Sequence, residues 1–274
     1  NACTTNPIVT STADNGAGTL REALANACIG NTVTFNLGPG PHTITLTSGE
    51  LAVTRNGTIN NNSGESITIS GNNAGRVFNI NSGKTVSMIG LTLTGGNATG
   101  DGGVVINDGT LTVVNSTISG NHASVDGGGI RSTATATSLT LINTTISGNN
   151  ANENAGGVDL LGGTATIINS TITNNRADND AGGNPGVGGG LRIAVDTTLK
   201  NTIVAGNFIE AGVTDTNSDI SGPVNGASSN NLIGVDTGLT GITNGSGGNQ
   251  IGTGGSPLNP QLGPLADNGG LTQT

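Results

Sequence analysis

Apolar and polar residues alternate with a period of two in many short segments of the chain. Leu111-Thr-Val113, Leu139-Thr-Leu141 and Ala165-Thr-Ile167 are examples, and each is followed two residues later by Asn. Such alternation is typical of strands that bury one face. A strand of this length cannot bury its apolar side alone, so the pattern predicts many short β-strands that pair with one another.

Two short phrases recur at intervals of about 26 residues, and such a fixed interval indicates a repeat protein. The first phrase ends in Asn and steps by 24, 28, 26 and 32 residues from Asn97 onward. The second is a glycine pair before an apolar residue, and it steps by 26, 28 and 33 residues from Val104. Stacked repeats pair each short strand with its copies in the neighbouring units. The sequence therefore predicts an all-β fold, a right-handed parallel β-helix (β-solenoid) of roughly nine coils.

The recurring side chains have predicted places in each coil. The isoleucines of the first phrase should point inward and stack in the core: Ile118, Ile146 and Ile172. The asparagines that end the phrase should occupy a turn with a left-handed backbone and bond the Asn of the next coil. The predicted ladder consists of Asn97, Asn121, Asn149, Asn175 and Asn207. The glycine pairs supply backbone conformations that other residues avoid.

The first residues are predicted to close one end of the stack. Thr19 and Glu22 fit a capping box, and the apolar residues that follow have helical spacing, so a short amphipathic helix is expected at about 19–28. Cys3 and Cys28 flank it and are either separate thiols or a disulfide. The disulfide, which we favour, would close a loop of about 25 residues and imply an oxidising compartment.

The chain is predicted to form a single domain over residues 1–274. The cap occupies 1–32, irregular coils 33–90, regular repeats 91–207, and final coils with a loop-like tail 208–274. No closing helix or charged cap is evident at the C-terminal end. We expect the last coil to be covered by the tail, by a further segment or by another molecule. End-to-end self-association through the C-terminal coil is therefore a candidate interaction.

Composition agrees with a narrow interior. The chain has 49 Gly, 3 Phe and no Trp or Tyr, so its core must consist of Val, Ile, Leu and Ala. A net charge of -9 with only 8 Lys and Arg makes binding to nucleic acid or to anionic membranes unfavourable. We also expect no membrane span, because no apolar run approaches the necessary length.

Three motifs resemble those of a known family. Ala17-Gly-Thr-Leu-Arg-Glu-Ala-Leu24 resembles the Ser-Leu-Arg-Glu-Ala-Ile element at the N-terminus of bacterial secreted β-helix proteins. The Gly-Gly-x-Ile and Ser-Gly-Asn phrases resemble repeats of polymorphic outer-membrane-protein-like surface proteins, which often read Phe-x-x-Asn instead. The tail from Leu262 to Thr274 resembles the segment that precedes a surface-anchoring region in such proteins. The resemblance implies an exported protein, secreted or at the cell surface.

Few residues point to chemistry. Three aspartates precede the glycine pair in similar places, either as solvated turn residues or as a weak Ca²⁺ site: Asp101, Asp126 and Asp178. A second set occupies one position in successive coils and predicts an exposed ion-pair ladder of small energetic value: Arg131, Asp159 and Arg192. No catalytic constellation is evident, so we assign no catalytic residue, cofactor or metal.

The leading functional hypothesis is a non-catalytic structural or adhesive β-solenoid at a bacterial cell surface, such as a stalk, adhesin or filament subunit with polysaccharide or surface contacts. The alternative is a polysaccharide-acting enzyme, pectate-lyase-like or polygalacturonase-like, because such enzymes share the fold. A third is ice binding through Thr-x-Thr pairs. These pairs, which the sequence places in different registers, are Thr43/Thr45, Thr92/Thr94, Thr110/Thr112 and Thr171/Thr173.

Overall fold

The structure, a computed structural model, describes residues 2–180, 186–210 and 215–274. The chain forms an all-β parallel β-helix with four sheets, here called S1 to S4, and passes from S1 to S4 within each regular coil. Among the described strands, every pair is parallel except Phe208–Glu210 with Asp215–Asn217. Two sheets contain eight strands and one contains nine, so the chain makes about eight turns where the sequence predicted roughly nine coils.

S1 and S2 follow each other along the chain in each regular coil. S1 consists of Ile8–Val9, Asn31–Phe35, Gly57–Asn60, Thr85–Ile89, Thr110–Val114, Ser138–Ile142, Thr164–Ile168 and Asp196–Lys200. S2 consists of His42–Thr45, Ile67–Ser70, Leu91–Thr94, Thr117–Ser119, Thr145–Ser147, Thr171–Thr173, Ile203–Val204, Leu232–Ile233 and Gln250–Ile251.

The remaining two sheets complete the coil. S3 consists of Asn97–Ala98, His122–Ala123, Asn150–Ala151, Arg176–Ala177, Phe208–Glu210 and Asp215–Asn217. S4 consists of Leu51–Val53, Phe78–Ile80, Val105–Asn107, Ile130–Ser132, Val158–Leu160, Leu191–Ile193, Ile220–Pro223 and Leu239–Thr240. The described helices are an α-helix, Leu20–Asn26, and a 3-10 helix, Ser246–Gly248.

Alternate residues of each strand point into the interior and stack in register. In S2, Ile118 pairs with Ile146 and Ile146 with Ile172, and all three side chains are fully buried. Leu93 precedes this column and Val204 follows it, also without exposed surface. The core is therefore a set of aliphatic columns that run along the stack.

The two glycines of each pair are required for different reasons. The first has a left-handed backbone, with φ of 68° at Gly127 and 66° at Gly188. The second packs directly on the S3 strand of the next coil: a Cβ on Gly128 would lie 2.2 Å from the carbonyl oxygen of Asn150. Gly156 holds the same position one coil later, after the left-handed Ala155, and its Cβ would lie 2.3 Å from the backbone nitrogen of Arg176. Conformational freedom, which the sequence predicted, explains the first glycine, whereas close approach of two backbones explains the second.

Both repeat markers are displaced by one residue in the coil that begins near residue 90. The backbone nitrogen of Gly96, not Asn97, bonds the Asn121 side chain 25 residues later. In S4, Val105, not Val104, pairs with Ile130. Asn97 instead lies in S3 beside His122, and its amide donates to the Asn73 carbonyl. The inclusion of Asn97 in the ladder is wrong, because the turn before it is one residue shorter than the phrase suggested.

The N-terminal helix closes the first coil. It runs from Leu20 to Asn26, and the Thr19 hydroxyl caps it by accepting a hydrogen bond from the Glu22 backbone. Leu20 and Ala23 are buried in the same core as the strands. The predicted Cys3–Cys28 disulfide is confirmed, with a Cα–Cα distance of 4.9 Å. Cys28 lies beyond the helix, because the backbone at Ala27 is no longer helical.

The coils of residues 33–90 are more regular than predicted. Their strands in S1, S2 and S4 pair in register with those of the later repeats. They differ from the later repeats in S3, whose first described strand is Asn97–Ala98.

At the other end, the tail of residues 259–274 lies along the outer face of S2. The Thr117 hydroxyl donates to the Gln273 carbonyl, and Leu271 lies over Gly90. The tail therefore covers a side of the stack, several coils before its end.

The close approach of two backbones at Gly156 predicts a large cost for a single added methyl group. We expect Gly156→Ala to lower the free energy of unfolding by at least about 2 kcal/mol, because the backbones of two coils must separate. The matched control is Gly100→Ala, whose Cβ would meet nothing within 4 Å, and we expect a change of less than about 0.5 kcal/mol. Urea denaturation measures both, and equal midpoints for the two variants would contradict the packing argument.

Candidate functional site

S4 presents an outward-facing column of charged residues. Parallel pairing places Arg131 beside Asp159, and Asp159 beside Arg192, in three successive coils. The chain neighbours Val158 and Leu160 are buried in the core, which leaves Asp159 on the outer side of the strand. The structure thus brings together the three residues that the sequence placed at one position of the repeat.

Asp159 is the centre of this column. Its two oxygens lie 2.6 Å and 2.7 Å from Arg192 Nε and Nη2, a bidentate ion pair, and its Oδ2 lies 2.8 Å from Arg131 Nη1. The Asp159 side chain has no exposed surface, whereas those of Arg131 and Arg192 are 13% and 21% exposed. The expectation of an exposed ladder of small value is wrong, because the arginine side chains cover the carboxylate.

Asp126 joins the same cluster from the preceding loop. It contacts Arg131 Nη1, and its Oδ2 lies 2.9 Å from Arg192 Nη2. Its Oδ1 accepts hydrogen bonds of 2.9 Å and 2.8 Å from the backbone and side-chain nitrogens of Asn154. Burial acts to raise the pKa of Asp126, but the bonds from Asn154 and the charge of Arg192 outweigh it and lower the pKa. Asp126 is therefore ionised at neutral pH.

Asp101 completes the cluster, but Asp178 does not belong to it. Asp101 Oδ1 lies 3.2 Å from Arg131 Nη1 and accepts a hydrogen bond from the Asp126 backbone. Asp178 directly follows the S3 strand Arg176–Ala177, and its backbone nitrogen donates to the Glu153 carbonyl. The similar place that the sequence suggested for it is wrong, because Asp101 and Asp126 lie further beyond the S3 strands of their own coils.

Arg131 lies where a cation bound by these carboxylates would lie. A single atom, Nη1, is within ion-pair distance of Asp101, Asp126 and Asp159. In the described part of the chain, no group of three or more His, Cys, Asp and Glu side chains could hold a metal ion. The interpretation of Asp101 and Asp126 as Ca²⁺ ligands is therefore replaced by an interpretation as arginine partners.

Burial and ion pairing oppose each other at Asp159. Burial raises the pKa of its carboxyl above the usual value, although Arg192 and Arg131 both favour the ionised form. Burial likewise acts to lower the pKa of Arg192, but the bond to Asp159 outweighs it and raises that pKa. The ionised form of Asp159 therefore depends on its two arginine partners. Arg131 Nε is buried without a hydrogen-bond partner among the described residues.

Sequence reasoning missed the extension of this charged surface toward the N-terminus. Arg76 Nη1 lies 2.5 Å from Glu50 Oε2, and Arg76 Nη2 donates to the Asp101 carbonyl at 2.7 Å. Asn79, which pairs with Ile106 in S4, donates to the other oxygen of Glu50. No repeated phrase marks Glu50 or Arg76. Alignment of the S4 strands, which requires the loop lengths of each coil, is the signal that would have found them.

A ladder of buried side-chain amides follows the turn between S2 and S3. Asn121 Nδ2 donates to Asn149 Oδ1 at 2.8 Å, and the same contact continues through Asn175 and Asn207 at 2.9 Å. Their backbones are not left-handed, contrary to the sequence expectation. The left-handed residue is the one before each, such as Gly120 with φ of 65°. The ladder residue is thereby free to point its amide into the wall of the stack.

The ladder ends on a carboxylate. Asp219 Oδ1 accepts from both nitrogens of Asn207, and its Oδ2 accepts from the backbone of Val235, each at 2.9 Å. An Asn side chain here has only one oxygen, so its amide nitrogen would face the donors of either Asn207 or Val235, and two donors would then oppose each other. Burial raises the pKa of Asp219 to about 6, although the three hydrogen bonds act in the opposite direction. The last residue of the ladder, Asp219, is thus a hydrogen-bond acceptor whose carboxyl group becomes protonated at mildly acidic pH.

Hydroxyl side chains form two columns on the outer face of S2. The first is Thr43, Thr68, Thr92, Thr117, Thr145 and Thr171. The second is Thr45, Ser70, Thr94, Ser119, Ser147 and Thr173. Three of the four Thr-x-Thr pairs therefore share one register, and the expectation that they do not is wrong. The fourth, Thr110 and Thr112, lies on S1.

Comparison with known proteins adds little to this geometry. No protein-family model matches the chain, and none of the curated proteins does. Among solved structures, the chain is similar to one described as the crystal structure of pectate lyase Pel9A. The TM-score is 0.47 with 14% sequence identity, over 89% of this chain and 78% of that one. No described helix is long and apolar enough to cross a bilayer.

The S4 cluster predicts unequal costs for two identical substitutions. We expect Asp159→Asn to lower the free energy of unfolding by roughly 3–5 kcal/mol, because Arg131 and Arg192 then lose a buried counter-charge. Asp101→Asn, at a side chain that is 31% exposed, should cost less than about 1 kcal/mol. Urea denaturation at neutral pH compares the two, and a smaller loss for Asp159→Asn than for Asp101→Asn would contradict the assignment.

Proposed function

We propose that this chain is a non-catalytic extracellular β-solenoid that acts as a structural or adhesive element at a bacterial cell surface. The S4 cluster carries the proposal. Its carboxylates and guanidinium groups come from successive coils and bind one another, so they lock neighbouring coils together. Together with the amide ladder, they make the stack a rigid rod, about 40 Å long at the usual strand spacing. A rigid rod suits a stalk, an adhesin or a filament subunit.

Two observations support an extracellular location for the protein. The Cys3–Cys28 disulfide fastens the N-terminal cap, and disulfides persist in oxidising compartments. The segment from Ala17 to Leu24 resembles the cap element of secreted bacterial β-helix proteins, and in this structure that segment caps the first coil. A polymorphic outer-membrane-protein-like surface protein is the family that we propose on this basis.

The same cluster disfavours the enzyme alternative. A polysaccharide lyase or hydrolase needs carboxylates or a base that can reach the substrate in the correct protonation state. Here Asp126 and Asp159 both accept from arginines, and Asp159 has no exposed surface. These two carboxylates are thus engaged in holding the coils together.

Incubation with polysaccharides tests this proposal. We expect no release of uronides or reducing ends from pectin, polygalacturonate or neutral glucans, with or without Ca²⁺, because the carboxylates of the S4 cluster are bound to arginines. Electron microscopy and sizing of the same preparation should show rods, with end-to-end pairs as concentration rises. A commercial pectate lyase is the positive control. Uronide release that is lost in Arg131→Ala would overturn the non-catalytic assignment.

Ice binding is a second candidate, and a specific observation favours it. The outer face of S1 carries three uncharged columns in four successive coils. These are Thr85, Thr110, Ser138, Thr164; Ser87, Thr112, Thr140, Thr166; and Ile89, Val114, Ile142, Ile168. Strand pairing spaces the columns regularly in two directions, about 4.8 Å between coils and about 6.6 Å along the strand. A flat lattice of hydroxyl and methyl groups can order water.

This second candidate predicts thermal hysteresis. The purified chain should lower the freezing point below the melting point of ice, and the double variant Thr112→Lys/Thr140→Lys should abolish the gap, because charged side chains would disrupt the lattice. The matched control is Thr68→Lys/Thr92→Lys, two adjacent coils of S2. Nanolitre osmometry provides the measurement. Absence of hysteresis in the unaltered chain eliminates this candidate.

A further inference from the structure

We propose that the gap between the C-terminal tail and the outer face of S2 is a binding site for a neutral sugar of one or two rings. The proposal names a ligand class for the adhesive role, and to that extent it rests on the proposed function. The site lies on S2. It is separate from the uncharged columns on S1 and from the charged cluster on S4.

Four hydroxyl side chains, arranged in a rectangle, form the floor of the gap. Thr145 and Ser147 belong to one coil, and they pair with Thr171 and Thr173 of the next. The spacing is about 4.8 Å between coils and about 6.6 Å along each strand. In the described part of the chain, none of these four hydroxyl groups has a hydrogen-bond partner. Thr145 and Ser147 are only 9% and 7% exposed, and all four residues line the gap, so their hydroxyl groups are available to a ligand within the gap.

The opposite wall is formed by the tail, and its shape is fixed. The backbones of Ala266 and Thr274 bond each other in both directions, and Asn268 Nδ2 donates to the Thr274 carbonyl at 2.8 Å. The hydrogen bond from Thr117 to Gln273 fastens this closed loop to S2. Before the loop, the tail spans the next two coils with no hydrogen bond to S2 among the described residues, and it presents Leu262, Pro264 and Leu265 to the gap.

The size and chemistry of the gap select the ligand class. Its volume is about 520 Å³, within the range of about 300–1,000 Å³ that is typical of small-molecule sites. No ionisable side chain is among the described residues that line it, so a charged ligand would lose water without gaining a counter-charge. A purely apolar ligand would leave the four hydroxyl groups unpaired. A neutral sugar matches both surfaces, with hydroxyl groups for the floor and a C–H face for the wall.

Removal of two floor hydroxyls, without a change of shape, tests the site. The protein is titrated with glucose, galactose, lactose, maltose and cellobiose by calorimetry and by ligand-observed NMR, with galacturonate as the charged comparison. We expect at least one neutral sugar to bind and galacturonate not to bind. The variant Thr145→Val/Thr171→Val should weaken binding about tenfold, because each lost hydroxyl removes one hydrogen bond.

The chain offers a matched control on its other hydroxyl face. Thr112 and Thr140 also pair in adjacent coils and point outward, but on S1, so Thr112→Val/Thr140→Val should leave sugar binding within about twofold. Binding of none of the neutral sugars, preference for galacturonate, or equal loss in both variants would overturn the site. These outcomes are distinct from failure of the proposed function, which uronide release would show. Circular dichroism verifies that both variants fold.

Discussion

Hydrogen bonding between successive coils in a single register is the interaction on which the rest of this structure depends. The strands contain two to five residues, too few to be stable alone, and each gains its partners only from the coils on either side. The buried Asn121 amide can be satisfied only if Asn149 lies directly beside it in the next coil. A slip of one residue would break the backbone pairing, this ladder and the aliphatic columns together.

The same register concentrates charge on S4. Arg131 and Asp159 are separated by a full coil in sequence, yet they pair because the coils stack in register. A buried carboxylate is costly unless it is paired and hydrogen-bonded, and Asp159 is tolerated because two coils each supply a guanidinium group. The charges therefore hold coils together, and they are the part of the structure whose chemistry most directly supports a rigid structural element.

The outer faces show how one repeat produces surfaces of different kinds. Outward positions on S1 and S2 are mostly Thr and Ser, because alternation turns them away from the core that the intervening residues fill. What distinguishes the two faces is the tail, which leaves the stack after Ile251 and returns along S2. An ordinary hydroxyl face thereby gains a wall with Leu262 and Leu265 and becomes concave. A concave site is a property of the returning tail and not of the repeat.

The sequence by itself determined the fold class, the isoleucine column of the core, the capping helix at Thr19 and the cysteine pair. These depend on local alternation and on short motifs, which do not change with the path of the chain. It placed Asn97 and Val104 one residue from their true positions, and it missed the burial of Asp159, the last rung at Asp219 and the place of the tail. Only the tertiary structure decided these, because pairing between coils depends on the length of every turn in between, and burial depends on which side chains from other coils lie above.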